Sequence, residues 1–275
     1  MGDAVMNFRS EEFFDIKNKN YGLALTFESY SFCPHTHEFT EINIVYSGSG
    51  FHTLGNTRIR VKSGDIFVIP SGTVHSYENE DNLCVYHIIL CDEFMKKYRD
   101  ELSESPGYSV FFDIEPSFRS NTADKWFLNV NGSTLRYIES EIRKSCRVTS
   151  EKHYVLNNVI ILNLICFLCG EMDSYISGSG RTLSDSGLSL IRAIEYIDKN
   201  ISQKITVDEL ARISNMSAST FCRHFKKHLG IAPVTYIIQK RVNLARRLIS
   251  DGTSTKTEIA QICGFYDSSH MDKYL

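Results

Sequence analysis

Three kinds of signature are missing from this 275-residue sequence. It has no nucleophile motif, no phosphate-cradling glycine loop and no dinucleotide fingerprint, so no catalytic residue is assigned and the chain is not read as an enzyme. Long apolar runs are scarce. The longest, Val159–Cys169, contains Asn163 and falls short of the roughly 20 residues a membrane span needs. The opening residues hold no apolar segment of the kind that directs secretion, so no signal peptide and no membrane partner are expected, and the chain reads as cytoplasmic. Eight cysteines are scattered without a paired framework, which fits a reducing compartment. Cys166 and Cys169 form a CxxC within an amphipathic stretch and read as buried thiols.

What is present divides in two. From Arg181 to the end there are 14 Lys/Arg and 9 Asp/Glu, whereas residues 1–180 hold 16 and 24. An acidic first part and a basic second part suggest two modules, with a polyanion as partner of the basic one. The first 95 or so residues hold short segments rich in β-branched and aromatic residues, broken by Gly, Pro or Asn, such as EINIVYSG and GDIFVIPSG. That spacing predicts a sandwich or barrel. A short helix is expected over 92–102, then a loop through Pro106 and Pro116, then helices across Ser133–Met172. SYISGSGRTLSDSG, 174–187, is too small and polar to bury anything and reads as a flexible linker. Nearly continuous helix is expected from Leu188 onward.

Within that last segment, Thr206 and Glu209 form a T-x-x-E capping box ahead of Leu210, Ala211 and Ile213. Asn215 suits the left-handed residue of a tight turn, and Ser217 caps a second helix with apolar Phe221 and Phe225. The other face of this helix carries Ser219, Thr220, Cys222, Arg223, Lys226 and Lys227, as in a helix-turn-helix. Any helical hairpin imitates this once, but here the grammar repeats. Thr255 and Glu258 restate the box, Ile259, Ala260 and Ile262 restate the buried face, and Gly264 and Phe265 stand for Asn215 and Met216. Ser268, Ser269, His270 and Lys273 then fall on the second recognition helix, with Met271 and Leu275 at its apolar positions. Pro233 opens a connecting helix between the copies. Two such units, presented about one DNA turn (~34 Å) apart, enter successive major grooves. Lys226, Lys227 and Arg246 or Arg247 suit phosphates, Arg223 a guanine edge, and Ser219, Thr220 and Cys222 close base contact.

The segment from Ile205 to Ile249, with IAQICGFYDSSH, closely resembles the DNA-binding domain of the AraC/XylS family of bacterial transcription regulators. The resemblance implies a double helix-turn-helix domain that binds promoter DNA, works as a homodimer and recruits or blocks RNA polymerase. In the family a further helix follows the second recognition helix; here the chain stops at HMDKYL. The expectation is therefore a domain lacking its last helix, with the apolar faces of Ile259, Ile262 and Met271 short of a packing partner and the second unit frayed.

A second cluster lies in PHTHEFTEINIVYSGSG. His35, His37, Glu41 and Gly48 match the first signature of the cupin barrel in spacing, and Gly64, Pro70, Gly72, His75 and Asn79 match the second. In enzymes of that resemblance, the positions of His35, His37, Glu41 and His75 hold one divalent transition metal, and three imidazoles with a carboxylate suit such an ion. The reading adopted is a pocket for a small-molecule effector, lined by His35, His37, Glu41 and His75 and walled by Phe51 and Tyr77. The expected architecture is multidomain α+β: a cupin-like β-barrel over 1–130, a helical dimerisation segment over 131–173, the linker over 174–187, and the helix-turn-helix domain over 188–275. The alternatives are a metal-dependent cupin enzyme or metal sensor with a vestigial DNA-binding tail, and a partner that sequesters relatives without binding DNA.

Overall fold

The computed structural model describes residues 5–14, 22–27, 31–55, 57–116, 119, 127–147, 154–177, 185–252 and 254–275. The chain divides into two compact units, Met1–Gly180 and Arg181–Leu275.

Two long strands organise the first unit. β1 (Met6–Phe8), β2 (Gly22–Phe27) and β3 (Phe32–His37) precede β4 (Thr40–Leu54); β5 (Thr57–Lys62) and β6 (Asp65–Ile69) lead to β7 (His75–Leu90), and β8 is Leu128–Asn129. β4 and β7 pair antiparallel from Thr40↔Leu90 to Leu54↔His75 and carry every other strand, directly or through a neighbour. The hydrogen-bonded path is β1-β3-β7-β4-β6-β8, with β2 on β7 and β5 on β4.

The expected cupin-like β-barrel does not form. The path ends in β1 and β8, which pair only inward, with β3 and β6, so among the described residues the sheet is open. The signature spacings fixed local features and nothing more. Gly48, Gly64 and Gly72 do take the left-handed turns they imply, at φ 74°, 93° and 77°. Closure needs matched tilt and stagger of whole strands, which spacing within a motif does not encode.

One face of the β4–β7 ladder carries Val45, Tyr77, Leu83 and Val85, which join Ile59, Val61, Phe67, Ile69 and Phe127 in a buried cluster. The opposite face, with Ile42, Ile44, Ile88 and Leu90 buried, also carries Tyr46 and Tyr86. Both tyrosine hydroxyls donate to Glu139 of helix α2 (Gly132–Arg147), at 2.7 and 3.4 Å. Helix α1 (Asp92–Ser103) falls where periodicity places it, but Ser109–Ile114, expected as loop, is π-helical and buries Val110, Phe111, Phe112 and Ile114.

Helix α3 (Tyr154–Ser177) is longer than its apolar run suggested, and by length and composition it passes for a membrane span. It packs against α2, β2 and β8, burying Ile161, Leu164, Ile165, Leu168, Cys169 and Met172. Of the CxxC pair only Cys169 is buried, its thiol pushed up to about 12 by that burial; Cys166 is exposed. The linker expected over 174–187 is helical at both described ends, and 178–184 lie outside the described residues.

The second unit is helical throughout: α4 (Asp185–Lys199), α5 (Val207–Ile213), α6 (Ala218–Leu229), α7 (Pro233–Asp251), α8 (Lys256–Ile262) and α9 (Ser268–Asp272). The two turns differ in how they are capped. Thr206 accepts from the Glu209 N–H at 3.3 Å, but the Glu209 carboxylate takes the Tyr196 hydroxyl at 2.6 Å, so the first unit has half the expected box. The second has all of it, the Glu258 carboxylate accepting the Thr255 N–H at 2.8 Å.

Phe221 and Phe225 are wholly buried, as are Leu190, Ile194, Ile197 and Leu210. Around α8, Ile259 and Met271 do find partners, in Val242, Ala245, Ala260, Cys263 and Phe265. Ile262 stays 45 % exposed, because the face toward α7 is set by Ile259, Ala260 and Cys263.

Asn215 and Gly264 occupy equivalent turns at φ 53° and 76°. A Cβ on Gly264 would lie 2.4 Å from the Ile201 carbonyl and 2.8 Å from Arg241, so glycine is required there for space as well as conformation. Gly264→Ala should therefore destabilise the second unit by at least about 1–3 kcal/mol, the usual cost of a non-glycine left-handed residue. Asn215→Gly should change stability by only a few tenths, because glycine adopts that conformation freely. Urea unfolding of the two variants checks the contrast.

Candidate functional site

Strand parity puts His35 and His37 on one face of β3, and cross-strand register sets His75 opposite His35, Tyr77 opposite His52, and His87 opposite Asn43. The result is a buried polar cluster: His35, His37, Glu41, Asn43, His52, His75 and His87 are all 7 % exposed or less. Glu41 is its centre. Its carboxylate lies 3.1 Å from His87 Nδ1, accepts from Asn43 Nδ2 at 3.0 Å, and stands 3.7 and 3.6 Å from Nε2 of His37 and His75.

Three of the imidazoles are oriented by the backbone. Nδ1 of His35, His37 and His75 lies 3.0, 2.7 and 3.2 Å from the carbonyls of Cys33, Phe39 and Thr73. A carbonyl only accepts, so each Nδ1 carries the proton and each neutral ring keeps its lone pair on Nε2. Among the described residues, Nε2 of His37 and of His75 is buried without a hydrogen-bond partner. Together with Glu41 they form a group whose ligand atoms lie within 4.8 Å of one another, able to coordinate a metal ion. A tetrahedral ion with bonds near 2.1 Å separates its ligand atoms by about 3.4 Å, close to the 3.7 and 3.6 Å between Glu41 and the two Nε2 atoms.

Burial leads the electrostatics. It lowers His35 to about 4, with help from the neighbouring His75, and it lowers His37 and His52 as well. Burial works against ionising Glu41, yet the attraction of the surrounding imidazoles, His87 foremost, holds its carboxyl well below the ordinary range. A lowered His37 beside an ionised Glu41 favours the protonation states in which these two groups bind a cation.

Of the residues expected to line a pocket, His35, His37, Glu41, His75 and Tyr77 come together. Tyr77 packs 4.7 Å from His52 and 6.2 Å from His75, measured between ring centroids. Phe51 is turned to the other face, under the Arg58 guanidinium at 3.5 Å. Asn43, His52 and His87 were not anticipated. Asn43 follows Glu41 by two positions and His87 lies an even number of residues from His75, so parity alone pointed to both. His52 offered no such signal, because register shifts between Val45 and Gly50 reverse the parity of β4.

In the second unit, Ser219, Arg223, Lys226 and Lys227 are exposed on α6, with Thr220 and Cys222 half-buried. The Thr220 hydroxyl sits 2.9 Å from Ser217 within the cap. On α9, Ser269 is exposed and Ser268 and His270 are half-buried, and Lys273 at its C-terminal cap is exposed. Aromatic edges of Phe265 and Tyr274 hold the His270 ring, at 5.6 and 5.4 Å.

A sheet unit with a buried polar cluster, joined to a repeated helix-turn-helix, describes a two-unit DNA-binding regulator. Residues 19–137 match the family described as AraC-like ligand binding domain, and residues 210–275 match a helix-turn-helix domain family. The two matches support a DNA-binding transcription regulator of the AraC type with an N-terminal ligand-associated domain. The chain is similar to the HTH-type transcriptional activator RhaR of Enterobacter sp., 24 % identical over 96 % of this chain and 89 % of the relative. It is also similar to the activator RhaS of Klebsiella pneumoniae, 25 % identical over 88 % and 82 %. Both relatives are regulators, consistent with a chain that is not an enzyme. An AraC-type transcriptional regulator structure from Chromobacterium violaceum aligns at 28 % identity, covering 31 % of this chain and 77 % of that one, with a TM-score of 0.30.

The lowered His35 value has a consequence for stability. Between the ordinary value of 6.5 and about 4 the unfolded chain binds a proton that the native imidazole refuses, so stability falls as pH falls through that window. Thermal unfolding of the first unit should shift to lower temperature from pH 7 to pH 4.5, and His35→Gln should flatten the dependence.

Proposed function

We propose that this chain is a cytoplasmic, sequence-specific transcription regulator that binds promoter DNA as a homodimer under the control of a small molecule held at the Glu41 cluster. The observation that carries the DNA reading is the repeat itself: cap, left-handed turn, and a helix with buried apolar and exposed polar faces, built twice on one connecting helix. In this reading Lys226 and Lys227 neutralise phosphates and set register, Arg223 pairs with a guanine edge, and Ser219, Thr220 and Cys222 approach bases closely. Ser268, Ser269, His270 and Lys273 play the corresponding parts on α9. The effector contacts His35, His37, Glu41, His75 and Tyr77. Contact with RNA polymerase follows from the family resemblance. Dimerisation is supported by α3, where Val155, Leu156 and Val159 are 59, 48 and 54 % exposed at the start of a helix whose other side is buried.

The cluster also supports a second reading in which its resident is one divalent transition metal. The favouring observation is the set of Nδ1–carbonyl bonds, which aims lone pairs of His37 and His75 at the Glu41 carboxylate, as outer partners do around bound metals. His37, His75 and Glu41 would hold the ion, which would supply a Lewis-acidic centre to anchor an oxygen-bearing effector.

Two experiments test these readings. The full chain should enrich defined duplexes from a randomised pool, and Arg223→Ala should cost about 1–3 kcal/mol on the selected duplex while leaving a scrambled one unaffected. Unchanged discrimination would remove Arg223 from base reading. Untagged protein should contain about one transition metal per chain by elemental analysis, lost in His75→Ala with the helical circular dichroism retained. Metal-free protein indifferent to chelators would leave the cluster as the lining of an organic-ligand site.

A further inference from the structure

Tyr266 is 91 % exposed, the most exposed of the large hydrophobic side chains described. Its neighbours are fixed. Phe265 is buried in the core of the second turn, and Asp267 caps α9, accepting from the His270 N–H at 2.7 Å. The main-chain N–H of Tyr266 points to His270 Nδ1 at 3.5 Å, which leaves Nε2 as the protonated nitrogen of that ring. The backbone at Tyr266 is thus held while its ring has no aromatic partner among the described residues. Nothing in the fold requires a tyrosine at this position, and in the first unit the residue following the turn in the same order is Ser217, a small cap.

The location decides what the ring meets. In a helix-turn-helix, residues at the N-terminal end of the second helix contact base edges in the major groove. Tyr266 directly precedes the Asp267 cap of α9, its main-chain N–H on His270. An aromatic ring in the major groove finds its apolar partner in the thymine methyl, and a phenol hydroxyl within reach of the backbone donates to phosphate. We infer that Tyr266 is a specificity-determining residue of the second helix-turn-helix, packing its ring on a thymine methyl and donating its hydroxyl to a phosphate. The inference rests on the DNA-binding function proposed above and adds to it a residue and the base it selects.

The test uses the full chain and the duplex it selects from a randomised pool. Tyr266→Ala should bind that duplex about tenfold more weakly, in line with the loss of one base contact, with scrambled duplex unaffected. Tyr266→Phe, which keeps the ring, should retain the base preference. Replacing thymines one at a time by deoxyuridine removes only a methyl. At one position near the second half of the site this should weaken the unmodified chain, and it should leave Tyr266→Ala unaffected. Equal affinity of Tyr266→Ala and the unmodified chain for the selected duplex, or the same deoxyuridine sensitivity in both, would overturn the assignment. If the unmodified chain enriches no sequence, the DNA-binding reading fails and the role of Tyr266 falls with it; loss of discrimination on Arg223→Ala but not on Tyr266→Ala isolates failure of this inference alone.

Discussion

The antiparallel pairing of β4 with β7 is the constraint on which the N-terminal unit depends. Because successive side chains alternate between faces, one ladder serves two environments. Asn43 and His87, directly opposite each other, support Glu41 on one face, while Ile44 and Tyr86, the next pair along, belong to the face that meets α2. A displacement of either strand beside Glu41 is carried along the same ladder to Tyr46 and Tyr86, which grip Glu139. Arg143 completes that grip, donating to the same carboxylate at 2.7 Å. The polar cluster and the helical layer are therefore two readouts of a single register.

This alternation also explains how much was legible in advance. Helices, caps and the repeat of the second unit follow from local rules, and Thr255, Glu258 and Gly264 behave as those rules require. His35, His37, Glu41 and His75 were brought together by spacing and parity. Parity failed where β4 is irregular. Counting evenly from Glu41 reaches Phe51, yet the shifts between Val45 and Gly50 exchange the faces, so His52 goes inward and Phe51 outward. Sequence does not announce a bulge there, and the consequence is an aromatic assigned to the wrong side and a buried histidine overlooked. Barrel closure failed for a different reason, being a property of how all strands stagger rather than of any motif. The half box at Thr206 is a third case: Tyr196, distant in sequence, competes for Glu209, and local grammar is blind to such a competitor.

Burying five imidazoles around a carboxylate carries a cost that a soluble core avoids unless something is gained. Each buried nitrogen without a partner forfeits its hydration, a loss of about 1–3 kcal/mol. The carbonyl bonds of His35, His37 and His75 satisfy one nitrogen of each ring and leave the other directed toward the cluster.

In the second unit, Arg241 of α7 donates to the carbonyls of Ile201 and Gln203, at 3.1 and 2.6 Å, and its guanidinium lies against the tight approach at Gly264. One side chain thereby ties the segment leading into the first turn to the second turn itself. Under the DNA-binding function proposed above, this tie would couple the placement of the two recognition helices. Each base pair added between two half-sites advances the duplex by about 3.4 Å and rotates it. Coupled helices of this kind would make spacer length, through the bending it demands of the duplex, part of the site that the proposed regulator selects.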